Sequence, residues 1–160
     1  MLKNNRRWVF LFVVALVAVF FQWRGGGYYG DDKRPVYQEH VLKTDAGCDV
    51  ARQPCTARLD KVAIVLTFSE QPSGLKVFPV QVSIKGLKQP QTAKLSLTFS
   101  MKGMDMGQVR QLLKWNKEKQ YWQGQSILPI CSTGRRDWRV SLELMSDKTI
   151  YLADFSFVVK

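Results

Sequence analysis

Alternating apolar and polar residues, glycine and proline punctuation between the alternating runs, and one long uncharged stretch near the N-terminus organise this 160-residue sequence. Together they predict an all-β protein, an antiparallel sandwich of seven or eight strands preceded by one N-terminal transmembrane helix. In a strand successive side chains point to opposite faces. A sheet buried on one side therefore shows an apolar residue at every second position.

Lys3, Arg6 and Arg7 open the chain, and a run of sixteen uncharged residues follows, from Trp8 to Trp23. As a helix this run covers about 24 Å, near the short limit for a hydrocarbon core of about 30 Å. Eleven of its residues are Val, Leu or Phe, and each favours insertion by roughly 0.4 kcal/mol. Trp8 and Trp23 stand at the two ends, where indole rings settle among lipid headgroups. A cleaved signal peptide would need small residues at its exit, which here reads Phe20-Phe21-Gln22-Trp23. Residues 8–23 are therefore expected to remain as a lipid-embedded, single-pass anchor. Positive charge retained inside makes residues 1–7 cytoplasmic and sends the rest across the inner membrane, to the periplasm or the extracellular side. Gly25-Gly26-Gly27, Gly30, Asp31-Asp32 and Pro35 disfavour a regular element, so residues 24–44 read as a flexible juxtamembrane stalk.

Residues 45–160 are enough for one domain and too few for two. Val62, Ile64, Leu66 and Phe68 share one face of a first run. Val80, Val82 and Ile84 repeat the rhythm, as do Leu95, Leu97 and Phe99. Trp138, Val140, Leu142 and Leu144 form a fourth run, and Tyr151, Ala153, Phe155 and Phe157 a fifth. Weaker runs lie near 109–115, 119–123 and 126–131. Residues 108–119 lack a three-to-four repeat, so strand is preferred to helix there. Short alternating runs separated by turn residues give an immunoglobulin-like sandwich, without the cysteine and tryptophan spacing of antibody domains.

The formal charge is +11. Beyond Arg24 it falls to 20 basic against 13 acidic residues. The basic residues are scattered, and no recognition-helix or RNP-type signature accompanies them, so nucleic acid is not an expected partner. Cys48 and Cys55 enclose a short loop containing Pro54, an arrangement suited to a disulfide in an oxidising compartment. The pairings Cys48–Cys131 and Cys55–Cys131 remain open at this level. A zinc site would need two further ligands, and only Cys131 and His40 remain.

Met101, Met104 and Met106 crowd into Met-Lys-Gly-Met-Asp-Met-Gly. In an extended chain Met104 and Met106 share a face, and Gly103 and Gly107 permit a bend that brings Met101 closer. Thioethers are soft ligands that select monovalent copper, and Cys131 offers a thiolate as a further soft donor. The bland reading of the same cluster is adaptable packing or a contact surface.

Ser100 to Gly107, Tyr121-Trp-Gln-Gly124, Leu128-Pro-Ile-Cys131 and Gly134-Arg-Arg-Asp-Trp138-Arg-Val resemble the small membrane-tethered FixH/YtkA-like proteins, over about residues 60–145. The resemblance implies an immunoglobulin-like extracytoplasmic domain and a role in copper handling or in assembly of a haem–copper oxidase. Only Met101, Met104 and Met106 match the Met-rich turn of that family, and this chain has no histidine beside them. Enzyme chemistry is not expected. The sequence has one histidine, no Gly-x-Ser-x-Gly elbow, no phosphate loop and no Cys-x-x-Cys. Two functions follow. The domain binds Cu(I) through Met104, Met106 and Cys131, with Met101 auxiliary, and delivers it to a membrane enzyme. Alternatively it is a metal-free module that docks on a membrane complex.

Protease added to spheroplasts should remove a C-terminal tag from the intact chain. A protected tag, or a mature N-terminus near residue 25, contradicts the topology.

Overall fold

The alternating runs become strands in a computed structural model that describes residues 11, 13–20, 36–101, 103–129 and 134–159, with the backbone alone at 104–107. Residues 11 and 13–20 are helical and exposed on every side. They belong to a unit separate from the one that begins at Val36. Among the described residues no helix is long and apolar enough to cross a membrane. The span expected at 8–23 lies partly outside them, and residues 1–7 and 24–35 lie wholly outside.

From Val36 onward the described residues form β1 (Gln38–Val41), β2 (Lys43–Thr44), β3 (Cys55–Leu59), β4 (Val62–Phe68), β5 (Val77–Lys85) and β6 (Lys94–Met101). β7 (Met104–Leu112), β8 (Lys114–Asn116), β9 (Tyr121–Ile127), β10 (Asp137–Ser146) and β11 (Thr149–Val158) complete the set. They make a five-stranded sheet in the order β1-β11-β10-β6-β7 and a six-stranded sheet in the order β2-β3-β4-β5-β9-β8. Every pairing is antiparallel except that of β1, which runs parallel to β11. The protein is thus an all-β sandwich. From the predicted inner rows, Ile64, Leu66, Val80 and Val82 of one sheet and Leu95, Leu97, Phe99, Val140, Leu142, Leu144, Phe155 and Phe157 of the other are buried and face each other across it, and Phe78 extends the β5 row. Trp122 and Trp138 join this core, and Trp115 packs edge-on against Trp122 at 5.6 Å between ring centroids. The segment 108–119 holds the end of β7, all of β8 and the start of the turn after it, and no helix, as its missing helical repeat implied.

Among the described residues eleven strands stand where seven or eight were expected, and the additional ones have physical reasons for being inconspicuous. Residues 38–44 carry strands although the sequence assigned them to the stalk. β1 buries no side chain and so writes no alternation. It is held by backbone pairing to β11 and by His40 stacked on Tyr151 at 5.7 Å. Leu42 then turns into the core, and its N–H donates to the Leu152 carbonyl at 2.7 Å. β3 faces inward with Cys55 and Ala57, small residues that give little hydrophobic signal. Between β7 and β8 the chain crosses from one sheet to the other through Leu113, which is buried and donates its N–H to Leu95 O. Gly124 leaves room for it, since a Cβ there would lie 2.4 Å from Leu113 Cδ2.

Strand register defines two ends. Val36, the β3–β4 turn and the β10–β11 turn lie at the entry end, because Gln38 pairs with Thr149. The opposite end collects the loop before β3, the loop between β4 and β5, the β6–β7 hairpin, the β9–β10 connection and the end of β11. Phe68 from one sheet meets Phe157 from the other there, at 5.2 Å.

Gly86 and Gly103 both have positive φ, +82 and +73, but a Cβ at 86 would collide with Lys61 O while the space at 103 is open. Gly103→Ala should cost about 1 kcal/mol from the left-handed backbone alone, and Gly86→Ala upward of about 2 kcal/mol. Urea denaturation of the two variants checks the order; equal losses contradict the close approach at Lys61.

Candidate functional site

Cys48, Cys55, Met101 and the backbone of Met104 and Met106 lie at the loop end. Cys48 and Cys55 are joined by a disulfide with a Cα–Cα distance of 5.8 Å, which decides among the three pairings. Cys55 starts β3 in one sheet and is fully buried, while the loop it closes reaches the other sheet. Asp49 bridges Ser156 of β11, and the Val50 N–H donates to Ser156 O at 3.2 Å. Inside the loop Asp49 Oδ1 accepts the Ala51 N–H at 3.0 Å, and Asp49 O accepts from Arg52 and Gln53. This folds the loop on itself, and Val50 inserts into the core. A covalent link in one sheet thereby fixes a hydrogen-bonded contact to the other.

The Met-rich segment forms the β6–β7 hairpin. Met101 is 4 % exposed and continues the inward row of Leu95, Leu97 and Phe99. Its thioether is a core atom, so the auxiliary ligand role would require it to leave that packing. Gly103 supplies the positive φ that a two-residue turn needs. The register places Met104 opposite Met101. From there to the next pair, Phe99 with Val109, β7 spends five residues against two on β6. Met104 and Met106 lie in this bulged stretch of an edge strand, where bulges re-aim side chains. Cys131 lies outside the described residues. Its described neighbours, Pro129 and Gly134, belong to the β9–β10 connection at the same end of the sandwich. Among the described residues no group of three or more His, Cys, Asp or Glu is gathered as for a metal ion. His40 is exposed and stacks on Tyr151.

An element the sequence did not single out sits beside these loops. Leu75 is 61 % exposed with φ +58, a left-handed backbone unusual for a bulky residue. Its N–H donates to Leu128 O at 3.0 Å, which pins the loop to the end of β9. Val77 and Ile127 pair directly, are 55 % and 41 % exposed, and extend the apolar patch across β5 and β9. The alternation that marks a strand shows which residues share a face and not which face is buried, so Val77 and Ile127 read as ordinary strand residues. At the start of β10 Arg135 donates to both carboxylate oxygens of Asp137, Nε to Oδ1 at 2.9 Å. This hydrogen-bonded guanidinium lowers the Asp137 pKa below its ordinary value.

The chain matches no known family profile, no curated protein and no solved structure.

The disulfide makes a prediction of its own. Closing so short a loop stabilises by roughly 2–3 kcal/mol in the chain-entropy estimate. Replacing both Cys48 and Cys55 by Ala should lower stability by that amount and accelerate amide exchange at Val50 before the β4 amides. Unchanged exchange at Val50 would mean that the loop holds to β11 without its covalent closure.

Proposed function

We propose that the protein is a membrane-anchored extracytoplasmic accessory protein whose immunoglobulin-like sandwich docks on a membrane protein complex. The observation that carries this reading is the exposed patch of Leu75, Val77 and Ile127 at the loop end. Leucine in a left-handed conformation costs of order 1–2 kcal/mol, and such strain clusters at binding sites. Exposed aliphatic side chains around it supply the desolvation that drives association. Val36 enters the domain at the opposite end. The anchor rests on the apolar run from Trp8 to Trp23, whose described part is exposed and apolar on every side. The disulfide supports an oxidising compartment, outside the cytoplasm. The FixH/YtkA-like resemblance supports a haem–copper oxidase as the complex served.

A second reading has its own support. The β6–β7 hairpin with Met104 and Met106 and the connection that contains Cys131 belong to the same end of the sandwich. Cu(I) bound there by thioether and thiolate sulfur would make the domain a copper carrier for the complex on which it docks. In this reading Met101 stays in the core.

A photoreactive amino acid at position 75 of the full chain, irradiated in native membranes, should give one discrete adduct with a membrane protein. The same group at position 148, at the entry end, should give none. Indistinguishable products from the two positions contradict docking through the loop end. Metal analysis of the reduced protein tests the second reading: about one Cu(I) in the parent, lost in the Met104→Leu/Met106→Leu variant with stability changed by less than about 1.5 kcal/mol. A parent that takes up no copper, or a variant that retains it, removes the carrier role.

A further inference from the structure

β8 covers β9 only over Tyr121–Gln123, so the same edge of β9 has no ladder partner over 124–127. The direction of its free groups follows from the neighbouring strands. Ser69 N–H donates to Pro79 O at 3.2 Å, so the Pro79 backbone faces β4. Its partner across the next ladder, Gln125, therefore sits in a non-hydrogen-bonded pair and turns its N–H and C=O away from β5. Two residues on, Ile127 opposite Val77 does the same. No hydrogen bond among the described residues uses these four groups. Gln125 lines a groove of about 640 Å³ together with Gln81, Gln111, Leu112, Lys114 and Gln123, among others, and Ile127 lies just beyond it. Folded proteins normally guard such an edge with lysine, proline or a bulge. β7 has its bulge and β8 its Lys114, whereas Gly124-Gln-Ser-Ile127 has neither charge nor proline.

We propose that the 124–127 edge of β9 is a strand-addition site for an extended, acidic segment of a protein partner. This deepens the docking reading and rests on it. The added segment takes the place that β8 leaves vacant and bonds to the N–H and C=O of Gln125 and Ile127. Its side chains alternate between the amide-lined outer face and the Leu112–Leu113 side. Lys114, opposite Gln123 at the end of β8 nearest the vacant edge, is the charged residue lining the groove, so a carboxylate on the segment meets complementary charge.

Selection of a displayed library of random peptides against the full chain in detergent tests this. The binders should be acidic and of alternating β-propensity. On binding, the best synthetic peptide should slow amide exchange at Gln125 and Ile127 and leave Gly124 and Ser126, already paired to β5, unchanged. Gln125→Pro removes an N–H outside the ladder, and Lys114→Glu reverses the charge. Each should weaken the peptide by at least about tenfold at unchanged melting temperature. Recovery of no binder, protection without the alternation, or full affinity in both variants overturns the proposal. A productive cross-link at position 75 alongside any of these results refutes the edge and leaves the docking reading standing.

Discussion

Four phenylalanines interlock between the two sheets and hold the loop end together. Phe68 and Phe78 come from β4 and β5, Phe99 and Phe157 from β6 and β11, and their rings meet at 5.2–6.4 Å, mostly edge to face. Aromatic pairs of this geometry add about 0.5–1.5 kcal/mol each beyond the area they bury. Because the cluster draws on both sheets, it fixes their separation where the hairpins and loops emerge. The Cys48–Cys55 link and the Val50 contact to β11 act on the same end from outside the cluster. Met101 packs one residue pair beyond Phe99 in the same inward row, which is why its sulfur belongs to the core.

A rigid base of this kind lets the loops carry strain. Leu75 keeps a left-handed backbone because Gly74 and its own N–H are tied to Leu128. The side chain is thereby held outward, where an unconstrained loop would relax and bury it. The same tie sets the last residues of β9 in a fixed position, with Val77 and Ile127 side by side on the outer face. The exposed side chains of Val77 and Ile127 and the free backbone groups at 125 and 127 then lie on the same paired stretch of β5 and β9, with Leu75 in the loop that precedes it. Each would be weak alone. Together they combine desolvation with directional hydrogen bonding, as strand-addition interfaces do.

The sandwich was legible in the sequence because five runs of alternation correspond to inner faces that are buried, and because breakers fall at the turns. The disulfide was legible from loop length and composition. β1, β2 and β3 were not: β1 and β2 bury almost nothing, and β3 turns only the small residues Cys55 and Ala57 inward. Leu75 escaped notice for a different reason. A positive φ at a non-glycine residue leaves no mark on composition or periodicity, and exposure of Val77 and Ile127 depends on which face of β5 and β9 turns outward. The sequence marked a bend at Gly103 and Gly107 but not the hairpin that pairs Met101 with Met104, and the burial of Met101 follows from its phase with Phe99, a relation visible once Leu95, Leu97, Phe99 and Met101 are read as one row.

Docking as proposed would cover the loop end and the adjoining β9 edge with a protein partner in the membrane. Hydrogen–deuterium exchange of the full chain, compared between its own membranes and the purified state, tests it most directly. Slower exchange in membranes over 74–77 and at Gln125 and Ile127, with the β10–β11 turn unchanged, is the expected result. Identical exchange in the two states would contradict the account.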